Sequence, residues 1–234
     1  MTVTGGPPAL AVRQVTKDFP SGGGTLRVLH GIDLEIGPTE QVAVVGPSGS
    51  GKSTLLSIMG TLENPTTGDV AVGETSTATM TDADKAALRS RAFGFVFQQF
   101  HLLEHVDAAR NVELGLLYTG IAPRERRERA RDALERVGLA RRMDHRPGQL
   151  SGGEQQRVAV ARAIAHDPQV VFADEPTGAL DQATGASVME LLRALTSTAL
   201  VVITHDEAIA GSLPRLVRMR DGRVEQDVVH AVPA

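Results

Sequence analysis

Between Leu10 and Ile36 apolar and polar residues alternate with the two-residue period of half-buried strands, and Ser21-Gly22-Gly23-Gly24 breaks the pattern where a hairpin must turn. Gln41 to Val45 reads as a short buried strand. A glycine-rich segment follows it and runs into an apolar helix, Leu55 to Leu62. Beyond the loop Asn64 to Gly68 the pattern predicts a short strand, Asp69 to Val72, and a helix from Thr81 to Arg91 with Thr81 and Asp84 spaced as a capping box. Phe93 to Phe97 alternates again and predicts a sheet strand. From 101 to 148 the period becomes helical, charges multiply, and Pro123 stands at a first helical position. Another helix begins near Gly152. Val170 to Ala173 and Leu200 to Ile203 are unbroken apolar runs, the pattern of a sheet covered on both faces. Arg215 to Arg220, the turn Asp221-Gly222 and Arg223 to Asp227 predict a closing β-hairpin. The order of elements is that of an α/β core with a helical segment inserted near its middle. Residues 1–8, with two Gly, two Pro and two Thr, are expected to be a disordered leader.

Composition narrows the chemistry. The 234 residues are 41% hydrophobic and 22% charged, enough for a packed core without staples. The absence of Cys excludes a disulfide framework, a thiolate metal site and a Cys nucleophile. A net charge of −4 and an aromatic content of 3% argue against a nucleic-acid platform. Residues 122–147 hold nine Arg against five acidic residues, but both signs interleave at helical spacing, as on a solvated helix face. The i, i+4 pair His101 and His105, with Glu104, follows Gln98 and is read as a partner-facing loop rather than a metal site. No run reaches the ~20 apolar residues of a spanning helix, so the chain is expected to be cytosolic or peripheral to a membrane. Only three of the 24 basic residues are Lys, namely Lys17, Lys52 and Lys85.

One of those lysines closes the strongest motif. Gly46-Pro47-Ser48-Gly49-Ser50-Gly51-Lys52-Ser53 matches G-x-x-x-x-G-K-[ST], with a strand before it and a helix after it. Glycines let backbone N–H groups converge on phosphate oxygens at a helix N-terminus. Lys52 supplies a point charge for the β- and γ-phosphates, and the Ser53 hydroxyl suits a Mg²⁺ ion. The apolar strand Val170 to Ala173 ends in Asp174 and Glu175; beside such a loop Asp174 suits a Mg²⁺ contact and Glu175 a general base for water. Leu150-Ser151-Gly152-Gly153-Glu154 opens a helix with a good N-cap in Ser151 and two glycines that would leave its end bare for an anion.

This ordered set resembles the nucleotide-binding subunit of ABC transporters over nearly the whole chain, about Val12 to Asp227. The resemblance implies a P-loop NTPase (RecA-like) core at about 9–97 and 165–230, an N-terminal antiparallel β-subdomain, and an inserted α-helical subdomain at about 98–164, forming one domain over 9–230. It implies that Phe19 stacks on adenine, where Tyr is commoner, and that Gly46 to Thr54 hold ATP. Gln98 would contact Mg²⁺ and water and sense a membrane partner, and His205 would hold the γ-phosphate. Ser151, Gly152 and Gly153 would meet the nucleotide held by a second copy, and Asp181 would act across the same dimer. Finer likeness, in FGFVFQQFHLL, NVELGLLYTG and RPGQLSGGEQQRVAVARA, is to the lipoprotein-release and macrolide-exporter class, which includes cell-division mechanotransmission ATPases. Thr39-Glu40 departs from that class, where Gly-Glu is usual.

The implied protein is a homodimeric Mg²⁺-dependent ATPase at the cytoplasmic face of the membrane, docked on a permease with four membrane helices and a large extracytoplasmic domain. Four of the six Phe lie at 93, 95, 97 and 100, around Gln98, and the resemblance implies that this is where the permease docks. Two alternatives stay open: control of an extracytoplasmic enzyme without cargo, and a soluble ATPase acting on DNA or ribosomes. The second is disfavoured by a single P-loop, no heptad run and no zinc module. A GTPase is disfavoured because no Asn-Lys-x-Asp motif occurs.

Overall fold

The computed structural model describes residues 6–230; the leader reading lies outside the described residues for positions 1–5, and Gly6 to Pro8 carry no regular structure. Strands β1 (Leu10–Ser21) and β2 (Gly24–Ile36) form the expected hairpin. Strand β3 (Gln41–Val45) leads through the glycine-rich loop into α1 (Lys52–Met59). This helix begins three residues before the predicted start, because polar Lys52, Ser53 and Thr54 form its first turn. After it come β4 (Thr67–Val72), β5 (Thr75–Ser76) and α2 (Asp82–Ala92). Thr81 caps α2 with a complete capping box: its hydroxyl accepts from the Asp84 N–H, and the Asp84 carboxylate accepts from the Thr81 N–H. Strand β6 (Phe93–Phe97) coincides with the predicted run.

The helical segment holds α3 (Ala108–Gly115), α4 (Pro123–Arg136), a short 3-10 turn at Pro147–Gln149 and α5 (Gly152–Ile164). Helical periodicity predicted more helix over 101–148 than forms. The chain between α4 and α5 is turns instead, with Gly138 at positive φ just after α4. Charges along α4 pair as Arg124–Glu128 and Arg129–Glu125, the solvated face that the interleaving implied. The chain then runs through β7 (Val170–Asp174), α6 (Gln182–Arg193), β8 (Ala199–Ile203), the one-turn helix α7 (Glu207–Gly211), β9 (Arg215–Arg220) and β10 (Arg223–Val229).

Two sheets result. The smaller is antiparallel in the order β2-β1-β4-β5. The larger runs β10-β9-β3-β8-β7-β6, parallel throughout except for the antiparallel edge strand β10. Its inner strands are apolar on both faces because each face meets a separate core. Val42, Val44, Phe172 and Val201 point toward the antiparallel sheet and α1. Ala43, Val45, Val171, Ala173, Leu200 and Val202 point toward the helical segment and α6. Phe93 is buried, and it and Phe95 pack on Phe172 with ring centroids 5.3 and 5.5 Å apart. That corrects the reading of the Phe cluster as a docking surface. Phe93 and Phe95 belong to the core because β6 lies next to β7, which leaves only the half-buried Phe97 and Phe100 toward the Gln98 loop.

Candidate functional site

The parallel order places the carboxyl ends of β3, β8 and β7 side by side, the region of an open α/β sheet where ligands bind. From β3 the chain enters Gly46 to Ser53. Pro47, Ser48 and Gly49 are exposed at the crest of the loop, whereas Ser50 and Gly51 are buried beneath it. Gly51 adopts φ +94°, and a Cβ there would lie 2.8 Å from the Leu29 side chain, so this turn accepts only glycine. The loop is tied down from outside: Gly222 in the β9–β10 turn donates its N–H to the Ser50 carbonyl, and its own carbonyl accepts from the His30 N–H of β2. No side chain caps α1 among the described residues, unlike α2, α3, α5, α6 and α7. Its first-turn N–H groups, with the exposed Ser53 hydroxyl and half-buried Thr54, are therefore available to an anion. The Lys52 ammonium bonds the Gly46 and Pro47 carbonyls at 2.9 Å each.

At the end of β7, burial pushes the half-buried Asp174 carboxyl up, and the adjacent Glu175 charge adds to this; Lys52 opposes it. Glu175, at φ +47°, leaves the strand and meets the end of β8. His205 Nδ1 lies 2.7 Å from Glu175 Oε1, and the Thr204 hydroxyl donates to Oε2 at 3.3 Å. His205 is raised above its ordinary value, chiefly by that bond to Glu175 and by the carboxylate's charge. Motif reading named Glu175 and His205 separately. It missed their contact and missed Thr204, because both depend on β7 and β8 being neighbours with Asp174 opposite Ile203.

Gln98 follows the last β6 pair, Phe97 opposite Asp174, and its side chain rests against Gly178, on the turn just beyond Glu175. The structure thus brings Lys52, Asp174, Glu175, His205 and Gln98 to one end of the sheet. Phe19, half-buried on β1 opposite Leu26, has Lys17 Nζ 4.9 Å from its ring centroid, and it belongs to the hairpin whose second strand lines Gly51.

The remaining expected residues lie on the helical side. Ser151 is the exposed N-cap of α5, with a capping box to Glu154, and Gly152 is exposed beside Leu180 and Phe100. Gly153 is not bare: it is buried against the Thr184 methyl of α6, where a side chain would collide. Asp181 spends its carboxylate within the chain, accepting from the Thr184 N–H at 3.0 Å and from the Thr184 hydroxyl at 2.6 Å. These bonds hold its carboxyl below the usual range.

Comparison with known proteins identifies the family and the fold. Residues 29–178 match the family model described as ABC transporter. The chain is 48% identical over 231 residues to the macrolide export ATP-binding/permease protein MacB 1/2 of Paracoccus denitrificans, covering 98% of this chain and 35% of that protein. It is 47% identical over 217 residues to the uncharacterized ABC transporter ATP-binding protein YknY of Bacillus subtilis, covering 92% of this chain and 94% of that protein. The chain therefore spans about a third of the macrolide export relatives it matches and nearly all of YknY. A dimeric post-hydrolysis state of the ATP-binding cassette MJ0796 bound to ADP and Pi superposes with a TM-score of 0.85 at 40% identity, covering 94% of this chain and 98% of that one.

Proposed function

The chain belongs to the ABC transporter family, whose ATP-binding cassette it carries, and from that premise we propose that it hydrolyses ATP to drive a separate membrane permease. The observation that carries this reading is the meeting of Lys52, Asp174 and the Glu175–His205 pair at the carboxyl ends of three adjacent parallel strands. The loop from Gly46 to Thr54 would receive the phosphates through backbone N–H groups, Lys52 would meet their charge, and Phe19 would support the adenine. Glu175 orients water toward the terminal phosphorus. His205, held by Glu175, presents its other ring nitrogen to the departing phosphoryl group, and ADP and phosphate are the products.

The donor set fits a hard divalent cation: a carboxyl destabilised by burial and by a second acid, a helix-terminal hydroxyl and an amide oxygen. Asp174, Ser53 and Gln98 would hold Mg²⁺, which when bound neutralises phosphate charge.

Ser151 and Gly152 are exposed at the start of α5, and the neighbours of Gly152 are Leu180 and Phe100 rather than the glycine-rich loop. We read them, with the Gly153 backbone, as the half-site offered to a nucleotide on a second copy, so that two ATP molecules join two chains. Asp181 stands at the same surface. Among the described residues no helix is long and apolar enough to cross a membrane, which suits a peripheral subunit at the cytoplasmic face. The proposed partner is a permease of the four-helix type with a large extracytoplasmic domain, received around Phe97, Gln98 and Phe100.

The test is Glu175→Gln. This variant should bind ATP and pair with itself on a sizing column, yet lose at least about 100-fold in turnover, the usual order for a catalytic base. Near-normal hydrolysis would remove Glu175 from its role.

A further inference from the structure

Gln156, on the second turn of α5, is fully buried, although it is polar and belongs to none of the phosphate-facing motifs. Its amide nitrogen donates to two backbone carbonyls on different segments, Phe97 O at 3.2 Å and Pro176 O at 2.5 Å. Phe97 immediately precedes Gln98, and Pro176 immediately follows Glu175. The β6–β7 ladder ends at the pair Phe97 and Asp174, so beyond it no strand pairing fixes the separation of the two segments. The Gln156 amide closes that gap. Two carbonyl acceptors force the amide's orientation and leave its oxygen buried with no donor. An apolar side chain of the same length would avoid that one orphan oxygen but would take the amide's donors from the Phe97 and Pro176 carbonyls, so what the amide supplies at this position is the link between those two segments.

We propose that Gln156 is a positioning residue, a brace that fixes Gln98 and Glu175 relative to one another and ties both to the helix that begins at Ser151. It touches neither nucleotide nor water. It holds the carbonyls flanking the two residues that do, so a shift of the α5 N-terminus is carried to both. The proposal rests on the ATPase reading for its kinetic consequence, but the brace itself can be measured without turnover.

The experiment uses the full chain with Gln156→Met, which keeps length and removes both donors. In hydrogen–deuterium exchange without nucleotide, 97–100 and 175–178 should exchange faster, while β3 and β8 keep their protection. A merely structural residue would loosen the core at large. In steady-state ATP hydrolysis, kcat should fall at least tenfold with the KM for ATP within threefold of the parent. Unchanged exchange in both segments, or a folded variant with kcat within twofold of the parent, would overturn the proposal. If Gln156→Met does not fold, Gln156→Asn is read by the same criteria, because it keeps an amide one methylene too short to reach both carbonyls. If the parent itself does not hydrolyse ATP, the ATPase reading fails and the exchange result alone decides on the brace.

Discussion

Single side chains at the end of the sheet do their chemistry through a neighbour. His205 is largely exposed, 77% by its side chain, yet its titration is governed by one oxygen of Glu175 at 2.7 Å. A carboxylate there favours the imidazolium, so the midpoint lies above the ordinary 6.5. The sign follows: the paired, charged form is complete below the unfolded histidine's pKa and is lost as pH rises through the elevated folded value. In Glu175→Gln the neutral amide cannot hold the cation, so the His205 Cε1–H resonance should titrate at lower pH than in the parent. An unmoved midpoint in that NMR titration would mean that the contact does not form in solution. The identity of both residues was legible in the motifs. Their mutual dependence was not, because a hydrogen bond between positions 30 residues apart is set by strand order, which periodicity does not encode.

At the scale of elements, the start of α5 is pinned to the start of α6. Gly153 lies against the Thr184 methyl, and the Thr184 side chain cannot rotate away without giving up its hydroxyl's bond to Asp181 Oδ2. Gly153→Ala should therefore cost about 1–3 kcal/mol of stability, the scale of an overpacked contact. Urea unfolding checks the figure, and adding Thr184→Ser, which removes the colliding methyl but keeps the hydroxyl, should recover most of the loss. Full stability in the single variant would show that the helices separate freely. The two glycines of Ser151-Gly152-Gly153 thus differ in role: Gly152 is open to a partner, whereas Gly153 permits close helix contact. Sequence alone could read both as a bare helix end. The caps themselves were written locally: Thr81 with Asp84 and Ser151 with Glu154 need only neighbours three residues away.

Across the whole molecule, the large parallel sheet is shared between two apolar clusters, one roofed by the antiparallel sheet and α1 and the other by the helical segment. The glycine-rich loop is anchored through Gly222, which bonds Ser50 on one side and His30 on the other. A subunit built this way is expected to be recovered from detergent-solubilised membranes together with an integral membrane protein. Recovery with nucleic acid or ribosomes and no membrane protein would instead favour the soluble alternative. Much of this molecule follows from its sequence alone: the α/β class, most strands, the capped helices, the glycine-rich loop between a strand and a helix and the acids that follow the apolar strand all depend on residues close along the chain. Only the tertiary structure decided that Phe93 and Phe95 are core, that Glu175 holds His205, and that Gln156 spans two loops. Each of these contacts joins distant segments, and its geometry is fixed by which strands lie side by side and how helices pack across them.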